Sequence, residues 1–281
     1  MKNKYILKNF FKYPKSKKFK RFAEGGLRKN KKKIVAKPIF SIITVVLNNE
    51  KYLEESIKSV ISQKIKSYEH IIIDGGSVDN SLNIIRKYQN KITYWLSERD
   101  LGIYHAFNKG LELTRGEYII ILNSDDIFTK NALLIYLKYI KKYKSIDFIF
   151  GAVKKHWGTL YGYKPEKIWF SWGFYSSHSS GFCIKSLSAK KIGLYNLRYK
   201  YHADYDYFYR MIVHEKMKGI ATKKNEIVGI FRRGGFSSTI PLRKLFFEEI
   251  LIRYNNGQNL ILLFLLSIYK LYIYLKKLVL K

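Results

Sequence analysis

Apolar positions in the first half of the chain follow two alternating periods. Residues 39–47 form a nearly unbroken β-branched run, the composition of a strand covered on both faces. Residues 50–63 follow, with Leu53, Ile57, Val60 and Ile61 on one helical face. The alternation then repeats. Strands are predicted over 69–73, 92–96, 117–122 and 147–150. Helices are predicted over 81–88, over 103–113 with Tyr104, Phe107 and Leu111 aligned, and from Thr129 through Leu133, Leu137 and Ile140. Such alternation predicts an α/β fold: a mixed, mainly parallel sheet flanked by helices on both faces.

The period is lost near Gly151. Residues 154–182 are rich in Trp, Tyr, Gly and Ser and read as long irregular chain of the kind that builds binding loops. Trp157, Tyr161, Tyr163, Trp169, Trp172 and Tyr175 are either platforms for sugar rings or the core beneath that loop. Regular structure resumes over 186–192 and 204–215. Residues 241–281 form a helical C-terminal extension, broken at Asn255-Asn256-Gly257. Its last part, 260–275, is apolar apart from Ser267 and Lys270 and falls short of the ~20 apolar residues that span a bilayer. It reads either as a core helix or as a helix lying on an anionic membrane surface.

Composition adds limits. The single cysteine, Cys183, excludes an internal disulfide and a cysteine-built zinc site. The 53 Lys+Arg against 21 Asp+Glu leave a net charge of +32. Residues 1–37 hold 15 of those cations and one acid, Glu24, and read as a flexible basic tail, either merely solvated or binding an anionic surface. The chain is also rich in Lys, Ile, Asn, Tyr and Phe together, which an AT-rich genome produces without selection for binding. No nucleic-acid-reading motif accompanies the charge, so no nucleic-acid partner is expected. The N-terminus offers only Tyr5-Ile6-Leu7 as an apolar stretch, too short for a secretory signal.

Candidate chemistry gathers where open α/β sheets bind ligands, at the carboxyl ends of strands. The first strand runs into Asn48-Asn49-Glu50, the second ends in Asp74 with Ser77 and Asp79 behind it, and the fourth ends in Asn123-Ser124-Asp125-Asp126. Carboxylates crowded on one sheet edge call for a cation, and oxygen-only ligands suit Mg²⁺ or Mn²⁺ shared with a diphosphate. Neither a P-loop nor a G-x-G-x-x-G follows the first strand, which disfavours an NTPase and a Rossmann dehydrogenase.

The segments SIITVVLNNEKYLEESIKSVISQ, YEHIIIDGGSVDNS, SERDLGIYHAFNKG and RGEYIIILNSDD together resemble the nucleotide-sugar half of family 2 glycosyltransferases, which have the GT-A fold. SHSSGFCIKSLSAKKIGLYN and YHADYDYFYR resemble the acceptor half, and FRRGGFSS the segment that closes the site. The resemblance spans residues 38–240, divided into a nucleotide-sugar half over 38–126 and an acceptor half over 127–240. It points to the bacterial subgroup that builds capsule, O-antigen or exopolysaccharide.

The resemblance implies roles. Thr44 and Asn48 would line the base, Asp74 the uracil or ribose, with Asp79 supporting that loop and Asp100 also facing the donor. Asp125 would ligate Mg²⁺ or Mn²⁺, with Asp126 assisting; Asn123 stands where the first Asp of the metal motif is usual. Asp204 would be the catalytic base, with His178 as the alternative and Asp206 and Arg210 on the acceptor side. His105 stands where the subgroup has Asp, and Phe107 where it has Met. The expected function is inverting transfer of a hexosyl group from a nucleotide-diphosphate sugar, UDP-linked, to a saccharide or lipid-linked acceptor. The expected location is the cytoplasm, peripheral on the inner face of the membrane. The alternative is an inactive GT-A-like binding or scaffold subunit.

Overall fold

A computed structural model describes residues 20–30, 34–170, 174–232 and 240–279. Its centre is an eight-stranded mixed sheet. In chain order the relevant strands are β1 (Arg21–Gly25), β2 (Phe40–Val46), β3 (Tyr68–Asp74), β4 (Tyr94–Glu98), β5 (Tyr118–Ile121), β6 (Ile127–Phe128), β7 (Phe148–Phe150), β8 (Ala152–Lys155), β9 (Gly158–Leu160), β10 (Phe182–Lys185), β11 (Gly219–Ala221) and β12 (Ile227–Ile230). The main sheet runs β1-β4-β3-β2-β5-β10-β7-β11, and a smaller one runs β6-β12-β8-β9. Every residue of β2 is buried, as its unbroken apolar run requires of a central strand.

Helices α1 (Glu50–Ile61), α2 (Ser81–Lys87) and α3 (Ile103–Leu113) return the chain between parallel strands, and α4 (Ala132–Lys142) follows β6. β2, β3, β4 and β5 pair in parallel, with Val46 opposite Asp74 and Asp74 opposite Ser97, so their carboxyl ends lie level. β10 enters antiparallel between β5 and β7. The remaining helices are α5 (Ser186–Ile192), α6 (Ala203–Tyr209), α7 (Leu242–Asn255) and α8 (Leu260–Val279).

Two expectations change. Part of the stretch read as a flexible tail, 1–37, is ordered sheet: β1 pairs antiparallel with β4. It is anchored by Arg21 to Glu98 and by Arg28 to Glu69, while residues 1–19 lie outside the described chain. The stretch after Gly151 is not loop throughout; it contains β8 and β9, too short and too mixed in composition to show a period. Three of its aromatics belong to the core. Tyr163 packs on Phe148 and Phe150, Trp169 on Tyr209, and Tyr175 on Phe208. Trp157 and Tyr161 are exposed, and Trp172 lies outside the described residues. Among the described residues no helix is long and apolar enough to cross a membrane.

Candidate active site

The level strand ends form one rim, and short polar side chains lock its loops to one another. Asn48 takes a left-handed conformation (φ 50°) that Asn tolerates better than most residues. Its N–H donates to Ser77 Oγ at 2.8 Å and its Oδ1 accepts from Val78 N at 2.9 Å. Asp79 accepts from Glu50 N at 2.9 Å and Ser81 N at 3.0 Å. Burial works against that carboxylate, but the Ser81 hydroxyl and these N–H donors hold it below the usual range. Asp79 therefore ties the start of α1 to the start of α2.

Asp74 is fully buried at the end of β3. Its oxygens accept from Gly76 N and Ser77 N, each at 3.2 Å, and from Ser97 Oγ at 2.6 Å. Asp100 lies beside this loop. A Cβ on Gly75 would come within 2.5 Å of Asp100 Oδ2, so a side chain there would push the Asp100 carboxylate aside. Burial raises the Asp100 carboxyl above its usual range, against the pull of the Gly102 N–H. His105 Nδ1 accepts from Leu101 N at 2.9 Å, steadying the Asp100 turn. Burial, with Lys109 nearby, pushes His105 down to about 4, so the imidazole that replaces the subgroup's Asp is neutral. Thr44 does not reach this rim. It is inside β2, a strand buried along its whole length, where its hydroxyl meets His70 Nε2 at 3.0 Å.

The loop after β5 carries the metal candidates. Asn123 N donates to Ser179 Oγ at 2.9 Å, and Asn49 Nδ2 reaches Ser124 Oγ at 2.8 Å. Asp125 is half-buried; burial raises its carboxyl, and the Arg232 guanidinium lowers it. Asp126 is buried and accepts from Arg232 N at 3.1 Å. Burial, with Asp125 adjacent, pushes Asp126 up to about 7. Among the described residues, the buried Asn123 Oδ1 and Asp126 Oδ2 make no hydrogen bond of good geometry, although the Ser179 hydroxyl lies near enough to the Asp126 carboxyl to lower its pKa.

The opposite end of the sheet makes the contrast. Buried Glu69 is fully engaged by Ser41 Oγ, Arg28, Arg115 and the Arg115 N–H. Buried oxygens without a good hydrogen bond beside a carboxylate are costly unless a cation or donor arrives. Two carboxylates and an amide oxygen suit a hard divalent cation that keeps part of its shell for phosphate oxygens. Among the described residues no group of three or more His, Cys, Asp or Glu is placed to hold a metal ion.

Asp204 stands at the start of α6. Its Oδ1 accepts from Tyr104 OH at 3.0 Å and from its neighbour's Tyr205 N at 2.9 Å, and the Tyr175 hydroxyl also bonds this carboxylate. Burial first, then Asp204, raises both phenols well above their usual range, so they remain donors. His178 bonds Tyr195 OH at 2.8 Å and is enclosed by Phe107, Phe182 and Phe208. Burial lowers its pKa, opposed by Asp204 nearby. The next residue, Ser179, holds the loop after β5, so one short segment links that loop to the surroundings of Asp204.

Asp206 and Arg210 face away from it. Arg210 Nε donates to Asp206 Oδ2 at 3.0 Å and its other nitrogens to Ile192 and Leu194 carbonyls, while Asn256 Nδ2 donates to Asp206 Oδ1. Their acceptor-side role gives way to bracing α6 from behind.

Tyr104, Arg232 and Lys155 also border the candidate site. Tyr104 reads as a core position on its helix, and only its place in the Gly-Ile-Tyr segment signals more. Arg232 and Lys155 carry no local signal. β12 pairs antiparallel with β6, which returns the chain to the loop after β5. Arg232 there pairs with Glu55 and stacks on Tyr52. Lys155 is held between burial, which lowers its pKa, and Asp126, which raises it. Of the FRRGGFSS segment only Phe231 and Arg232 are among the described residues.

The sequence model of the family described as Glycosyl transferase family 2 matches residues 41–190. The chain is a family 2 glycosyltransferase. It is 31% identical over 224 residues to an uncharacterized glycosyltransferase of Methanocaldococcus jannaschii, covering 75% of this chain and 77% of that one. It is 28% identical over 220 residues to a PGL/p-HBAD biosynthesis glycosyltransferase of Mycobacterium tuberculosis, covering 73% and 82%. Among solved structures, S. aureus TarS 1–349 superposes with a TM-score of 0.60 at 18% identity over 77% of this chain; the chain spans 64% of that one. M. tuberculosis glucosyl-3-phosphoglycerate synthase, bound to Mn²⁺, UDP and phosphoglyceric acid, gives 0.59 at 14% identity, covering 79% of this chain and 80% of that one. These likenesses establish the GT-A fold of this glycosyltransferase.

Proposed function

We propose that this glycosyltransferase moves a hexosyl group, with inversion, from a UDP-linked sugar to a hydroxyl of a saccharide or lipid-linked acceptor. The product would be a bacterial surface polysaccharide such as capsule, O-antigen or exopolysaccharide. The observation that carries the reading is the pair of buried oxygens without a hydrogen bond of good geometry, Asn123 Oδ1 and Asp126 Oδ2, in the loop after β5. The TarS fold neighbour was solved with UDP-GlcNAc and the synthase with UDP and Mn²⁺, which supports a uridine diphosphate donor and a divalent ion.

Asn123, Asp125 and Asp126 would hold that ion. Bound there, Mg²⁺ or Mn²⁺ supplies positive charge to the diphosphate leaving group. Asp74, Asp100 and the Asn48 turn shape the donor rim. Asp204 takes the proton of the acceptor hydroxyl as its oxygen bonds the anomeric carbon, on the face opposite the bond that breaks. Tyr104 and Tyr175 fix the Asp204 carboxylate for that transfer.

The test incubates the full chain with a panel of nucleotide sugars and Mg²⁺ or Mn²⁺. Binding and turnover are followed by release of the nucleoside diphosphate, and the anomer of the product by NMR. Metal-dependent release from a UDP-sugar and an inverted anomer are expected. Retention of configuration would remove the single-displacement mechanism. Failure to bind or turn over any nucleotide sugar would favour the scaffold reading.

A further inference from the structure

Helix α8 is apolar on two opposite sides, and only one of them is covered. Leu263 and Leu266 are buried, and Lys270 turns inward to Glu249 of α7. These positions share one helical face. Ile261, Phe264, Leu265, Ile268 and Tyr272 recur at helical spacing on the other side and are each more than half exposed. A helix on the surface of a soluble domain normally turns charged and polar residues outward. Here the outward side is the more apolar, and a continuous apolar stripe of this kind marks an interaction surface.

Charge selects the partner. The only acids after residue 240 are Glu248 and Glu249. Glu248 accepts from the N–H groups of Lys200, Tyr201 and His202. Glu249 is buried with Arg253 and Lys270. Arg243 and Lys244 at the start of α7 are exposed, and the sequence adds Lys276, Lys277 and Lys281. Among the described residues the exposed charges of this hairpin include Arg243 and Lys244, and its sequence as a whole is net positive. A second copy would bring one +32 chain against another, which like-charge repulsion disfavours. A surface with an apolar interior and anionic headgroups meets both features at once.

We infer that α8 lies in the plane of an anionic lipid surface, with Ile261, Phe264, Leu265, Ile268 and Tyr272 inserted and its opposite side packed on the enzyme. The helix therefore serves as core and as membrane contact, on different faces.

The test sediments the full chain with vesicles of phosphatidylcholine containing ~30% phosphatidylglycerol, and with phosphatidylcholine alone, at low salt and at ~0.5 M salt. The parent should pellet with the anionic vesicles and keep a salt-resistant fraction. The triple variant Ile261→Ser, Phe264→Ser, Ile268→Ser should lose vesicle affinity by ~10-fold or more, since it removes most of the inserted area. Its melting temperature should match the parent's, because those side chains lie outside the core. Three results overturn the inference: a parent that stays in the supernatant, a triple variant that pellets like the parent, or a triple variant that melts well below it. A parent that is dimeric in solution and made monomeric by the triple variant would assign the face to a second copy instead.

Discussion

The stretch 38–126, to which we assign the donor, and the stretch 127–240, to which we assign the acceptor, hold their polar groups by different means. On the donor side the partners come from neighbouring βα units whose strands end in register. Asn48 meets Ser77 and Val78, Asp79 meets Glu50, and Asp74 meets Ser97. On the acceptor side the partners come from far along the chain. Asp204 is gripped by Tyr104 and Tyr175, and the turn before it by Glu248 of α7. Asp206 behind it is held by Asn256. The donor rim is a property of the parallel sheet. The acceptor side is a side-chain assembly that depends on the C-terminal helices as buttresses.

The largest effect should come from the donor-side loop. Asp125→Ala removes its half-exposed carboxylate, and metal-dependent turnover should fall below detection while the melting temperature is kept. Wild-type turnover in this variant would show that the loop after β5 does not hold the ion. Next comes Asp204→Asn, which keeps the shape and removes the proton acceptor. Here kcat should fall by ~10²–10⁴-fold with donor affinity unchanged. If His178→Phe produces that loss and Asp204→Asn does not, the base is His178, and the tyrosine grip on Asp204 is only structural.

The buttress is tested by stability. Arg253→Met leaves buried Glu249 with Lys270 alone, while the Ile168 and Trp169 carbonyls keep Tyr205 OH and Gln258 Nε2 as donors. A loss of about 3 kcal/mol is expected in urea unfolding, the lower end for breaking a buried pair. A variant as stable as the parent would mean that α7 is an appendage.

The effect that is smallest at neutral pH, and grows only on acidification, concerns the core beneath β2. His70 is buried, and burial pushes it down to about 3. The unfolded chain takes that proton near pH 6.5, so it binds more protons than the folded one between those values. Stability should therefore fall as pH drops from 6.5 towards 3, by at most ~1.4 kcal/mol per pH unit from this group. His70→Leu should flatten that part of the profile. An unchanged slope would assign the acid sensitivity elsewhere.

The same division explains what the sequence revealed. β2 to β5 and their helices are visible because a buried parallel strand leaves a β-branched run and its helix a 3.6-residue stripe. Asp74, Asp79, Asp100 and Asp125 could be placed because each follows a strand end. Asp206 and Arg210 share the local sequence of Asp204, yet a step of two residues, about 200° round the helix, carries Asp206 to the other side of α6, where Arg210 pairs with it. Thr44 lies inside a strand that is buried along its whole length, and only the residues after Val46 reach the rim. Arg232 and Lys155 reach the loop after β5 only through the pairing of β12 with β6 and β8, a contact across some hundred residues that no local pattern records. The outward face of α8 was ambiguous because apolar residues occupy both sides of the helix.

β1 has a practical consequence for how the protein is handled. It closes one edge of the main sheet by pairing with β4, from a stretch that looks dispensable. Cutting the chain at residue 37 would leave the outer N–H and C=O groups of β4 bare, a ready template for another chain to add to. It would also take Arg28 from Glu69. A shortened protein meant to be better behaved would instead be prone to aggregate, whereas cutting before Lys20 would leave that seal intact.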